Sequence, residues 1–108
     1  MKKESKETHI LYTENNSENN IISFLTEELK SHSADNVIVD ISGIELTDNT
    51  LSELNKISDS HKENGMSFVT VVSGISPDDV EEAFVICPTL QEAEDIIVME
   101  NLERELGF

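Results

Sequence analysis

Hydrophobic and polar positions along the chain switch between two periods. Thr8 to Thr13, THILYT, alternates and is rich in β-formers, which predicts a strand. The polar KKESKE before it fits an edge strand hairpinned onto it. ENNSENN reads as a loop, too polar to pack and rich in turn-favouring Asn. In IISFLTEELKSH, Ile21, Ile22, Phe24, Leu25 and Leu29 recur at helical spacing, and SADN breaks the helix. VIVDI, Val37 to Ile41, is a near-continuous β-branched run of the kind found in strands covered on both faces. Leu51, Leu54, Ile57 and His61 then mark a second helix, with Gly65 as its stop.

The alternation continues towards the C-terminus. MSFVTVVS, Met66 to Ser73, predicts another buried strand. SPDDVEEA predicts a short helix with Ser76 as N-cap and Pro77 at its first position. FVIC, Phe84 to Cys87, predicts a third apolar strand. Thr89 and Glu92 form a T-x-x-E capping box for a final helix reaching Leu106. A helix of about 17 residues is about 25 Å long, so its end is expected to overhang a small sheet. Leu90, Ala93, Ile96 and Ile97 are its expected inward face; Met99, Leu102 and Leu106 continue the stripe, rotated slightly. Phe108 follows, free to fold back onto the core or to dock elsewhere. Strands alternating with helices, without a linker or repeat, predict one α/β domain over residues 1–108.

Composition narrows the functional classes. At 108 residues the chain can bury a core without staples. Aromatics are only 5%, so that core must be built mostly of Ile, Leu and Val. The single cysteine, Cys87, leaves no internal disulfide, which fits a reducing compartment. There is neither a membrane-length apolar run nor a signal-peptide core, so a soluble cytoplasmic protein is expected. Net charge is −16, which repels nucleic acid backbones and anionic membranes. From Ile75 to Phe108 ten acids face one base, Arg104. That excess serves solubility, or it steers a basic protein partner.

The segment Val37 to Gly74 resembles the STAS domain of anti-sigma-factor antagonists and sulfate-transporter tails. Asp40-Ile41-Ser42-Gly43 matches the Asp-Leu-Ser-Gly that ends a strand in that family. Asp48-Asn49-Thr50-Leu51 matches in part the Asp-Ser-Ser/Thr-Gly-Leu that opens the next helix. The resemblance implies an α/β, STAS-like mixed and partly parallel sheet of four to five strands, with about four helices. It also implies a non-enzymatic module that docks a protein partner. The family's phosphoserine position is Asn49 here, which takes no phosphate; Thr50 is the nearest hydroxyl at the helix start. The C-terminal PTLQEAEDIIVMENLERELGF is similar to the ends of short bacterial STAS-like chains, some labelled ribonuclease Z. That dizinc activity needs a His-x-His-x-Asp-His cluster. His9, His32 and His61 are not so spaced, and the activity is expected to be absent.

Two readings stand for the loop. Ser42, Leu46, Asp48, Asn49 and Thr50 form a partner-contact or phospho-loop, in which a phosphate on Thr50 would sit at a positive helix end. Alternatively, Thr47 or Asp48 simply caps the helix, and Thr50 with Glu53 caps it one turn later. Other chemistries fit less well. A receiver domain would need an acidic pair after the first strand and a lysine after the last, where Thr13-Glu14-Asn15 and Cys87-Pro88-Thr89 stand. A phosphatase would need Arg where Ala93 follows Cys87. No metal spacing and no glycine-rich phosphate loop is present, and no cofactor is expected. The expected function is thus a protein-interaction module with a basic partner, not nucleic acid or membrane. A small-ligand or nucleotide-binding domain and an accessory to a neighbouring enzyme are the alternatives.

Overall fold

Five strands form one sheet in chain order. The structure, a computed structural model, describes residues 1–80 and 84–107. β1 (Lys2–Ser5) runs antiparallel to β2 (Ile10–Thr13). β2, β3 (Val37–Asp40), β4 (Phe68–Val71) and β5 (Ile86–Cys87) are successively parallel. The lysines of β1 and of the turn after it leave this edge strand charged, which blunts edge-to-edge pairing.

The apolar runs of β3 and β4 follow from burial on both sides. Val37, Val39, Phe68 and Val72 join one core cluster, and Ile38, Val69 and Val71 join another. The first cluster lies under α1 (Ile21–Ser31) and α2 (Asp48–Glu63), which contribute Ile21, Leu25 and Leu54. The second lies under α3 (Leu90–Glu105), which contributes Ala93 and Ile97. Right-handed crossovers stepping the same way along the sheet put α1 and α2 on one face. α3 packs on β3, β4 and β5 from the other.

Three expectations change. Among the described residues there are three α-helices rather than about four. Among its described residues the stretch from Ser76 makes a 3-10 turn at Pro77–Asp79, in which the Asp79 N–H bonds the Ser76 carbonyl and the Asp78 N–H bonds Ser76 Oγ. These i to i+3 and side-chain bonds replace the i to i+4 pattern a longer helix needs. Residues 81–83 of that expected helix, and Phe108, lie outside the described residues. The last strand is shorter than FVIC, although the Thr70 N–H already reaches the Val85 carbonyl. Finally, Met99, Leu102 and Leu106 do not extend the inward face of α3. They are 53, 53 and 63% exposed, whereas Ala93 and Ile97 are fully buried. At about 100° per residue, Leu102 projects nearly opposite to Ile97 and Ala93.

α3 is nevertheless seated along its second half. Glu100 accepts the Ser67 hydroxyl at 2.5 Å, and Asn36 Nδ2 donates to Asn101 Oδ1 at 3.0 Å. Arg104 donates to Asn36 Oδ1 at 3.1 Å and also to Asn101. Asn36 Oδ1 accepts the Ser67 backbone N–H at 2.9 Å as well, so one buried amide ties β3, β4 and α3 together.

Candidate functional site

The parallel register aligns Thr13, Asp40, Val71 and Cys87 in one row. The loops that follow β2, β3 and β4 therefore leave from the same edge, where open α/β sheets place their functional loops. The stretch Asp40 to Thr50, DISGIELTDNT, runs from the end of β3 through its loop into the first turn of α2.

Hydrogen bonds to both sides fix this loop. Asp40 Oδ1 accepts the Ser42 N–H at 3.2 Å and the Ser42 hydroxyl at 2.8 Å, a local turn built by a short acidic side chain. The Ser42 carbonyl accepts the Ser73 hydroxyl at 2.6 Å, which ties the loop to the one after β4. On the other side, Glu18 Oε2 accepts the Thr47 N–H at 2.9 Å. That N–H, then the Thr50 hydroxyl, hold the Glu18 carboxyl below its usual range, outweighing partial burial. A Cβ at Gly43 would lie 3.5 Å from Asn15 Oδ1, an ordinary van der Waals contact, so the loops after β2 and β3 are neighbours there.

Thr47 is the N-cap. Its backbone is extended, and its Oγ1 accepts the Thr50 N–H at 3.3 Å. Thr50 lies inside the first turn and is only 8% exposed, so the second cap with Glu53 does not form; Glu53 pairs with Lys56 instead. The Thr50 hydroxyl is 3.2 Å from Thr47 Oγ1 and is near enough to the Glu18 carboxylate to help lower its pKa. A phosphate there would set a dianion against that carboxylate. The remaining candidates divide by exposure. Asp48 and Asn49 are exposed, whereas Ser42 and Leu46 are half-buried. Leu46, with Ile44, packs against the α1/α2 core and lines a cleft of about 300 Å³ with Val72, Gly74 and Ile75.

Glu18 and Ser73 are the parts of this site that sequence reasoning missed. Glu18 reads as one more acid in a polar loop. Its role depends on the β2 and β3 loops being neighbours, which sequential parallel strands would have implied.

The other reactive side chains have structural partners. His61, 2% exposed, donates through Nε2 to the Asp35 carbonyl at 2.6 Å and meets the Phe68 ring edge-on. His32 lies between Lys3 Nζ, at 2.9 Å, and Asp35, at 2.9 Å. His9 is buried, which pushes its pKa down, and its Nδ1 is 3.0 Å from Thr8 Oγ1. The buried Cys87 thiol lies 3.4 Å from the Thr89 carbonyl. Burial, chiefly, pushes that thiol up to about 11, away from activation. Among the described residues no cluster of three His, Cys, Asp or Glu could hold a metal ion, and no helix is long and apolar enough to cross a membrane. Compared with protein-family models and with curated proteins, the chain matches none of either.

Proposed function

We propose that the chain is a non-enzymatic, STAS-like interaction module of the cytoplasm that docks a basic protein partner through the β3–α2 loop. It works without the phosphoserine switch that the resemblance would carry. The observation that carries this reading is the way the loop is held. Asp40, Ser73 and Glu18 fix its backbone from three directions, while Asp48 and Asn49 stand exposed at the first turn of α2. A pre-organised acidic loop binds with little ordering cost, and a net charge of −16 speeds encounter with a cation-rich partner. Asn49 at the family's serine position, and the burial of Thr50, both favour constitutive docking over a phosphate switch.

The test is quantitative capture from native lysate with wild type and with the exposed pair Asp48→Lys and Asn49→Lys, which spares the Thr47 cap. Loss of a set of basic partners by the variant supports the loop as the interface. Equal recovery of every partner excludes it. The cleft beside Leu46 favours a second reading, a small-ligand site. Its polar lining includes Glu45 and Ser73 but neither Lys nor Arg, so an uncharged ligand suits it better than a nucleotide. A thermal-shift screen separates the two, because ligand at 100 times its dissociation constant stabilises by about 2.7 kcal/mol.

A further inference from the structure

Val98, Met99, Leu102 and Leu106 are the large hydrophobic side chains that stand exposed among the described residues, at 59, 53, 53 and 63%. All four are on α3 or at its C-cap. Val98, Leu102 and Leu106 are spaced i, i+4, i+8 and make one ridge, with Met99 beside it. This ridge faces away from Ala93 and Ile97, which are fully buried against the sheet. Scattered surface hydrophobics need no explanation, but a contiguous apolar ridge marks an interaction surface.

The ridge is held still. Glu100, Asn101 and Arg104 anchor the same turns of α3 to Ser67 and Asn36. Leu102 therefore sits on a fixed support rather than on a fraying end, which lowers the ordering cost of binding.

Charge decides the occupant. α3 carries six acids, and its one base, Arg104, is turned inward onto Asn36. Asp95 stands one turn before the ridge, Glu92 and Glu103 flank it on the Met99 side, and Glu105 on the Val98 side; all four are exposed. A second copy would bring the same acids against these, and an anionic membrane or nucleic acid would be repelled. We infer that the outer face of α3 docks a basic amphipathic protein helix, whose apolar residues at i, i+3/i+4 and i+7 cover the ridge while Lys and Arg meet the flanking carboxylates. α3 lies on the opposite sheet face from α2, so this surface stands whether or not the β3–α2 loop is an interface.

The probe is a synthetic Leu/Lys amphipathic helix of about four turns, matched to the length of α3, with a Leu/Glu peptide of the same pattern as control. Binding is read by amide chemical-shift perturbation and by fluorescence anisotropy. The proteins are wild type, Val98→Ser with Leu102→Ser, and Asp48→Lys with Asn49→Lys, each checked for an unchanged thermal transition. Wild type is expected to bind Leu/Lys but not Leu/Glu, with shifts centred on α3 and affinity falling as salt rises. The ridge variant should bind about tenfold more weakly or worse, as when a central apolar anchor is removed. The loop variant should match wild type. The inference is overturned if wild type does not bind the Leu/Lys peptide, if the ridge variant binds it as well as wild type does, or if the shifts centre on the β3–α2 loop. A concentration-dependent dimer that the ridge variant abolishes would also overturn it, by making a second copy the occupant.

Discussion

The two faces of the sheet are covered in different ways. On one side α1 and α2 lie together over Tyr12, Val37, Val39 and Phe68, and their own apolar residues pack against that core or stand half-buried beside it. On the other, α3 covers Leu11, Ile38, Val69 and Val71 with no companion helix among the described residues, and it is apolar on its outer side as well. A helix that serves only a core needs one apolar stripe. α3 has two, on opposite sides, and fixes the inner one with a polar anchor around Asn36. The difference teaches that hydrophobic count along a helix does not report burial. α3 supplies fewer fully buried side chains than its apolar content suggests, and the surplus is presented to solvent.

Paired substitutions sharpen this contrast most strongly. Leu54→Ala empties a fully buried position and should lower unfolding free energy by about 2–5 kcal/mol. Leu102→Ala, at 53% exposure, should change it by less than about 0.5 kcal/mol. Urea denaturation checks both, and similar losses would mean that the outer side of α3 is covered. Next in size is the anchor. Asn36→Ala strands the Ser67 N–H and releases Asn101 and Arg104, and should cost about 1–3 kcal/mol. Hydrogen exchange should then rise in the second half of α3 but not in α1. Uniform acceleration across all helices would deny the anchor a local role.

Smaller effects distinguish the loop edge. Thr47→Ala removes the α2 cap and should cost about 1 kcal/mol in thermal or urea unfolding, whereas Asn49→Ala, at an exposed position that leaves the cap in place, should be near neutral. Smallest is the pH dependence of the Glu18 contact. The folded carboxyl titrates below its ordinary 4.5, so its stabilisation is complete above that value and is lost as pH falls through the depressed one. The Thr47 amide should exchange faster, relative to the intrinsic rate, as pH drops below about 4.5, and Glu18→Gln should remove that dependence. An unchanged pH profile in Glu18→Gln would mean that another group controls the loop.

Most of the sheet was legible in the sequence because its strands are buried on both faces. VIVDI and SFVTVV have no other economical reading, and the hairpin of KKES onto ILYT followed from alternation. Helix limits were legible where capping chemistry is local, as at Thr89 and Gly65, whose φ of 84° suits glycine. What failed was what depends on distance in space. Periodicity shows that Leu102 and Leu106 share a face but not which way that face turns. The orientation was set by Asn36 and Ser67, more than 30 residues earlier in the chain. The loop was recognisable as a helix start, yet the choice of Thr47 over Asp48 as cap, and the burial of Thr50, depended on Glu18 from a neighbouring loop.

The most direct test of the two-sided helix is methyl relaxation of the free protein with a soluble paramagnetic agent. The account predicts strong broadening of the Val98, Met99, Leu102 and Leu106 methyls, with those of Ala93, Ile97 and Leu54 untouched. Protection of Leu102 to the level of Ile97 would contradict it.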